Sequence, residues 1–125
     1  MTLVREVMSS EVVCVEHESN ISDAASLMVQ GGFGSVLVTQ GKMLLGILTE
    51  RDVLRAAAYE LDLSRASIGL WMTQDPVTTG ADLETEEAAD LMLSHGFRHL
   101  PILEDGELVG IVSLRDLLSA RIGRR

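Results

Sequence analysis

Two short segments of the chain carry a hydroxyl residue three positions before an aspartate. Thr49 precedes Asp52, and Ser113 precedes Asp116. At the start of a helix, this spacing lets the hydroxyl accept a hydrogen bond from the backbone amide of the aspartate, which caps the helix without any ligand. The same groups suit a second purpose, because a carboxylate can bind both hydroxyls of a ribose and a helix N-terminus can hold phosphate oxygens. The spacing alone leaves both interpretations open.

Basic side chains accompany both motifs. Arg51 and Arg115 fall in the first turn of the helix predicted after each motif, where they could contact phosphates, stay in solvent or pair with acids. Arg98 and His99 precede a predicted strand in the second half, where the first half has glycine and serine. The first motif also contains Glu50 where the second has a leucine. We therefore predict two unequal sites, with a phosphate chain better tolerated beside the second motif.

Cys14 and His17 have a Cys-x-x-His spacing. A zinc site needs three or four ligands, and no second pair in the chain has metal-like spacing. We interpret them as a strand cysteine and a loop histidine, and keep a metal- or redox-responsive protein as an alternative. The other histidines, His95 and His99, lie far away, and the single cysteine has no evident activating partner. The sequence therefore predicts no enzyme and no intrachain disulfide.

The composition limits the class of protein further. The chain has 125 residues, of which 46% are hydrophobic, and a formal net charge of −9. This balance predicts a globular core and disfavours general nucleic-acid binding, which needs basic residues to displace counterions from phosphates. No apolar run approaches the roughly 18 residues of a membrane span, and the N-terminus lacks the pattern of a secretory signal. We expect a cytoplasmic protein.

The chain contains an internal duplication. A shift of 64 positions aligns the two halves without a gap and gives 15 identities over the 49 positions from 8 to 56. We predict a first repeat at 1–61, a linker at 62–67 and a second repeat at 68–125. Each repeat reads as β-α-β-β-α in coarse secondary structure, preceded by a short helix at 3–8 or 68–72.

Hydrophobic periodicity places the elements of each repeat. The strands are predicted at 12–16, 35–39 and 43–49 in the first repeat and at 76–79, 99–103 and 108–113 in the second. Glycines at 31–32 and 96 should end the first helix of each repeat. The closing helices are predicted at 50–61 and 114–122. The buried faces of the first helices are predicted to carry Ile21, Ala24, Ala25 and Met28, and Ala88, Leu91, Met92 and His95.

A repeat of this size is marginal as an independent domain, because it buries too small a fraction of its surface. Two repeats would gain stability by packing sheet to sheet around a shared core. The groove between the two would then be the natural concave site. We therefore expect a pseudo-two-fold pair of the α/β (α+β) class.

The repeated motifs resemble those of the cystathionine-β-synthase (CBS) domain. The heptad GILTERD at 46–52 and its twin GIVSLRD at 110–116 follow that family's Gly-h-x-Thr/Ser-x-x-Asp pattern, where h is hydrophobic. Met-Ser and Met-Thr open the repeats at 8 and 72, Ala-Ala-x-Leu-Met recurs at 24 and 88, and FRHLPI spans 97–102. Together the repeats look like a Bateman module, a tandem pair of CBS domains.

The resemblance implies a regulatory function and a set of contacts. It implies binding of an adenosine-containing ligand, with AMP, ADP or ATP first and S-adenosylmethionine or a dinucleotide as further possibilities. The ribose and phosphates would be held by Thr49, Asp52, Ser113, Asp116, Arg98, His99, Arg51 and Arg115. The base would lie against Val13, Val77, Pro101 and Ile102. No obligatory cofactor is implied.

The closing helices have more apolar positions than one buried face needs. These positions are Val53, Leu54, Ala57, Ala58 and Leu61 in the first repeat and Leu117, Leu118 and Ile122 in the second. They predict a self-complementary surface and a two-fold homodimer, which the resemblance extends to a disc of four CBS units. Since no effector domain is recognisable, a stand-alone module would signal to an effector protein in trans. The alternative is a structural dimerisation module without ligand.

Overall fold

The computed structural model of the protein describes residues 1–121. The first half follows the predicted order, a short helix and then β-α-β-β-α. In the second half, a two-residue strand at 73–74 stands where a strand at 76–79 was predicted, and the remaining α-β-β-α order is as predicted. The elements are α1 (Val4–Val7), β1 (Cys14–Glu16), α2 (Ile21–Gly31), β2 (Ser35–Gln40), β3 (Met43–Thr49), α3 (Glu50–Tyr59), α4 (Ile68–Trp71), β4 (Thr73–Gln74), α5 (Thr85–His95), β5 (His99–Glu104), β6 (Glu107–Ser113) and α6 (Leu114–Arg121). Across the described residues, no helix combines the length and apolar character needed to cross a membrane.

The chain forms two compact units. The first-repeat unit is Val13–Pro76, and the second-repeat unit joins Met1–Val12 to the chain from Val77 onward. The contacts thus divide the chain differently from the repeats, because α1 packs with the second repeat and α4 with the first. The segment predicted as a linker lies within the first-repeat unit, where Leu63 and Ala66 contact its core.

Polar contacts attach α1 to the second-repeat unit. The Arg5 guanidinium forms ion pairs with Asp82 at 2.7 Å and Glu104 at 2.6 Å, which raise the pKa of Arg5. The backbone amide of Val4 donates to the carbonyl of Leu83 at 2.8 Å. Val4 itself is fully buried. The N-terminal residues are therefore a structural part of the second-repeat unit.

A four-stranded sheet, in the order β1-β2-β3-β4, organises the first-repeat unit. β1 runs parallel to β2, whereas β2 with β3 and β3 with β4 are antiparallel. Val36, Val38 and Leu48 face the core from the sheet, and Ile21 and Met28 reach it from α2. The predicted strand and helix periodicities thus meet in one apolar cluster.

The second-repeat unit has the same plan with fewer regular strands. β5 and β6 form an antiparallel pair, and single bridges join Thr79 to Ile102 and Ser9 to Ile111 at the positions that β1 and β4 occupy in the first-repeat unit. The prediction of a strand at 76–79 is wrong, since only Thr79 pairs. Pro76 has no amide hydrogen for a ladder, which limits pairing there.

The ends of the helices match the predicted glycine signals. Gly32 and Gly96 adopt the left-handed conformation, at φ 70° and 76°, and their amides donate to the carbonyls of Met28 and Met92. His95 is exposed at the end of α5, so its assignment to the buried face is wrong. The last helical turn carries it past the core, and its ring lies 5.8 Å from that of Phe97. Ile122 lies outside the described residues.

The glycine that opens each heptad motif lies beneath a leading segment, defined as residues 4–9 or 68–73. A Cβ atom on Gly46 would lie 2.6 Å from the carbonyl oxygen of Thr73 and 2.7 Å from the sulfur of Met72. A Cβ atom on Gly110 would lie 2.7 Å from the sulfur of Met8 and 2.8 Å from the carbonyl oxygen of Ser9. Only glycine permits this close approach of backbone to strand.

We predict that Gly46→Ala and Gly110→Ala each lower the free energy of unfolding by about 1–3 kcal/mol, because the added methyl displaces a backbone carbonyl. Urea unfolding of each variant measures the effect. Gly80→Ala is the matched control, since its Cβ would meet no atom closer than the carbonyl oxygen of Leu103 at 3.9 Å. Equal stability of all three variants would contradict the role given to the close approach.

Candidate functional site

The first corner is the junction of β3 and α3 at residues 49–52. Thr49 is the N-cap of α3, and its hydroxyl accepts from the amide of Asp52 at 3.3 Å. In return, one carboxylate oxygen of Asp52, Oδ2, accepts from the Thr49 amide at 2.9 Å and the Thr49 hydroxyl at 3.1 Å. The predicted cap therefore forms and holds the carboxylate in one orientation, with Asp52 only 4% exposed.

The other oxygen of Asp52 faces an arginine. Nη1 of Arg55 donates to Oδ1 of Asp52 at 3.2 Å, one helical turn further along α3. The Arg55 guanidinium carbon also lies 5.9 Å from the centre of the Trp71 ring, within the range of a cation–π contact. The Tyr59 ring stacks on Trp71 with 6.1 Å between centres and 16° between planes. Both carboxylate oxygens at the first corner are thus engaged.

The second corner is the junction of β6 and α6 at residues 113–116. The Ser113 amide donates to Oδ2 of Asp116 at 2.9 Å, and the Asp116 amide donates to the Ser113 hydroxyl at 3.1 Å. Asp116 is half-buried rather than buried. Among the described side chains, no cation forms an ion pair with it, because Ser119 stands where α3 has Arg55. The second corner thus presents a more open acid.

The contacts of Arg55, Tyr59 and Trp71 lie outside every predicted motif. A spacing of three residues places Arg55 and Asp52 on one helix face, and this signal could have indicated the ion pair. The distance of Trp71 along the chain gives no comparable signal, because it reaches α3 from a separate helix, α4.

The basic residues named from the sequence lie in different settings. Arg51, Arg98 and Arg115 are exposed, and His99 is half-buried. The carbonyl of Arg98 accepts from the amide of Leu114 at 2.9 Å, and His99 pairs with Ser113 across the β5–β6 ladder. The fold therefore brings Arg98 and His99 to the second corner, next to Arg115.

The residues predicted to flank a base differ in exposure. Val77 is 39% exposed and Val13 is half-buried against the first core. Pro101 and Ile102 are fully buried, and Ile102 belongs to the core of its own unit. Val77 is accordingly the most accessible of the four as a contact for a planar ligand.

Cys14 lies on β1, the edge strand of the first-repeat sheet, and His17 follows directly after this strand. Cys14 is an exposed thiol on β1, and the Nδ1 atom of the half-buried His17 has no hydrogen-bond partner. Partial burial, and secondarily the nearby carboxylate of Glu16, raise the pKa of the Cys14 thiol. Within residues 1–121, no three His, Cys, Asp or Glu side chains cluster closely enough to hold a metal ion.

Comparison with known proteins identifies the class of protein. The model of the CBS domain family matches the chain twice, at residues 4–59 and 66–123. The CBS domain-containing protein YhcV of Bacillus subtilis is 36% identical over 118 residues, which cover 94% of this chain and 84% of that protein. The chain belongs to the CBS domain family and comprises two tandem CBS domains, the arrangement of a Bateman regulatory module.

Solved structures agree with the fold. One match is a protein from Burkholderia ambifaria that is described as a signal-transduction protein with CBS domains. Its TM-score is 0.94 at 30% identity, and the match covers 99% of this chain and 96% of that one. The CBS domain pair of MJ0100, solved in complex with 5′-methylthioadenosine and S-adenosyl-L-methionine, matches with a TM-score of 0.89 and 23% identity over 100% and 99%. The α/β fold of paired CBS repeats predicted from the sequence is confirmed.

We predict that Cys14 reacts as an ordinary, unactivated thiol. Because its pKa is raised in the folded protein, less thiolate is present at a given pH than in the unfolded chain, and the pH midpoint of alkylation shifts upward on folding. The rate of iodoacetamide labelling, followed by mass spectrometry across pH in buffer and in concentrated urea, measures this shift. A lower midpoint in the folded protein would contradict the prediction and favour a metal- or redox-responsive site.

Proposed function

We propose that the protein senses an adenosine-containing ligand at its two corners and signals to an effector protein in trans. The ligand class is an adenine nucleotide, AMP, ADP or ATP, before S-adenosylmethionine or a dinucleotide. The observation that carries the proposal is the second corner, where a fixed and accessible carboxylate stands at a helix N-terminus.

The second corner offers the groups that a ribose needs. Asp116 is oriented by the Ser113 amide through Oδ2, which leaves Oδ1 to accept from a ribose hydroxyl. The Ser113 hydroxyl accepts from the Asp116 amide and can still donate its own hydrogen to a phosphate attached to the same sugar. The cap's own hydrogen bonds fix the carboxylate, so binding requires little reorganisation.

Charge favours the second corner for an anionic ligand. Arg51 and Arg115 are exposed at equivalent positions, so they do not distinguish the two corners. The difference comes from Arg98, which is exposed beside the second corner, and from Glu50, an exposed acid at the first. Attraction between a phosphate and an arginine is strengthened by paired hydrogen bonds, and a carboxylate at the same place opposes it. We therefore propose Asp116 as the principal ribose ligand and Asp52 as the weaker one.

The relative MJ0100 supports the ligand class. Its CBS domain pair was solved with two adenosine derivatives bound. At 23% identity the likeness carries the fold and not the individual contacts. The choice among adenine nucleotides therefore depends on the arginines near the second corner, which suit phosphates better than the uncharged thioether of methylthioadenosine.

We also propose that the protein is a homodimer, assembled as a disc of four CBS units through the closing helices. Leu54 on α3 and Leu118 on α6 occupy equivalent positions in the two repeats and are 72% and 54% exposed. Leu61, just after α3, is fully exposed as well. Apolar side chains repeated at equivalent exposed positions fit a self-complementary surface. This feature also favours the second candidate function, a dimerisation module without ligand.

The two candidate functions predict different responses to nucleotides. For the sensor, we expect AMP to raise the melting temperature and to bind in calorimetry, with Asp116→Asn weakening binding at the principal site by about 10-fold or more through the loss of charge-assisted hydrogen bonds. Asp52→Asn should have the smaller effect. ADP, ATP, NAD and S-adenosylmethionine complete the panel and identify the preferred ligand.

Asp90→Asn is the matched control for this panel, because it removes one exposed carboxylate from a helix remote in sequence from either motif. Its affinity for AMP should equal that of the wild type. Nucleotide-free protein that binds no member of the panel would refute the sensor and leave the dimerisation module. Equal losses in Asp52→Asn and Asp116→Asn would refute the inequality of the corners.

We predict that Leu54→Glu combined with Leu118→Glu converts the dimer to a monomer, because burying the introduced carboxylates costs more than the contact supplies. Sedimentation equilibrium measures the mass. Leu70→Glu is the control, since Leu70 is 80% exposed but lies on α4 rather than on a closing helix. A monomeric wild type, or a double variant that stays dimeric, would contradict this assignment.

A further inference from the structure

The two corners differ in which groups bind the carboxylate oxygens of their aspartates. Oδ2 of Asp52 is bound by the amide and hydroxyl of Thr49, and Oδ1 accepts from Nη1 of Arg55 at 3.2 Å. A ribose hydroxyl that sought this carboxylate would therefore meet Arg55 on the remaining oxygen. The equivalent position in the second repeat is Ser119, whose short side chain carries no positive charge.

The aromatic pair holds Arg55 in this position. The Arg55 guanidinium carbon lies 5.9 Å from the centre of the Trp71 ring. The Tyr59 ring stacks on Trp71 with 6.1 Å between ring centres. The second repeat cannot reproduce this arrangement, because Val7 stands at the position equivalent to Trp71. Arg55 is thus held by an ion pair and a cation–π contact, although its side chain is 58% exposed.

We propose that Arg55 is an internal competitor for the first corner. It occupies the carboxylate oxygen that the ribose of an adenosine ligand would use, so the ligand must break the Arg55–Asp52 ion pair before it binds there. The two corners consequently fill in order, the second before the first. This inference rests on the proposed function and adds a residue that increases the difference between the two sites.

The free-energy cost of displacing Arg55 is modest, and it applies only to the first corner. The ion pair joins a buried carboxylate to a partly exposed guanidinium, and the cation–π contact adds to it. Together they correspond to a difference of about 3- to 10-fold in the dissociation constant. Competition of this kind weakens the first site without abolishing it, which separates the nucleotide concentrations at which the two corners respond.

Variants in which one corner is weakened allow the ligand affinity of the other corner to be measured. Asp116→Asn weakens the second corner and reports the first, and in that background Arg55→Ser should tighten the binding of adenosine by about 3- to 10-fold in calorimetry. The reciprocal change, Ser119→Arg in an Asp52→Asn background, tests whether an arginine at this position weakens the second corner. Arg65→Ser, which removes an exposed arginine outside both corners, is the charge-matched control and should leave the affinity unchanged.

The fluorescence of Trp71 provides a second readout that a merely structural role of Arg55 would not move. Trp71 is the only tryptophan in the chain, so its emission reports the first corner without labelling. Adenosine should change the emission of the Asp116→Asn protein as Arg55 leaves Asp52. The change should be much smaller when Arg55→Ser is added.

Comparing adenosine with AMP shows whether Arg55 competes with the ribose for Asp52 or instead binds the phosphate. If Arg55→Ser weakens AMP but not adenosine, Arg55 binds the phosphate and the proposal is overturned. If wild-type protein binds nucleotide but Arg55→Ser leaves the adenosine affinity of the first corner unchanged, the competition alone is overturned. If neither wild type nor any variant binds adenosine or any ligand of the nucleotide panel, the proposed function fails and the competition fails with it.

Discussion

The close crossing of each leading segment over a glycine is the constraint on which both units depend. The backbone carbonyls of Thr73 and Ser9 lie where a Cβ atom of Gly46 or Gly110 would be. This contact sets the register of the last strand of each repeat against the segment beside it, at the Ile47–Thr73 and Ile111–Ser9 pairs. Since the strand ends three residues after its glycine, the same contact positions the hydroxyl and aspartate that follow.

The corners show that a helix cap and a ligand site need the same local geometry. The hydroxyl and carboxylate exchange hydrogen bonds with each other's backbone amides at both corners, so the acid is held in place before any ligand arrives. What differs is the surroundings of the outer carboxylate oxygen. Arg55 fills that space in the first repeat, and Ser119 leaves it open in the second. Divergence at one helix position can therefore make a duplicated site unequal while the cap stays intact.

Prediction from sequence succeeded where the signal was local and repeated. The helix-ending glycines, the two hairpins and the caps each depend on a few neighbouring residues, and all formed as expected. The prediction of a strand at 76–79 was wrong: only Thr79 pairs, and Pro76 has no amide hydrogen for the ladder that the apolar pattern alone suggested. His95 fulfilled the helical spacing but lies in the last turn, beyond the core. The stacking of Trp71 on Tyr59 joins two separate helices, and no local sequence pattern predicts such a contact.

The sequence by itself determined the duplication, the order of the elements and the four residues of the two corners, because spacing of three or four residues is enough to specify a cap or a helix face. Only the tertiary structure decided which leading segment packs with which repeat, and that Trp71 holds Arg55 against Asp52. These contacts arise from burial of apolar surface between segments distant along the chain. Such burial favours whichever apolar segments fit together, and periodicity alone does not encode that choice.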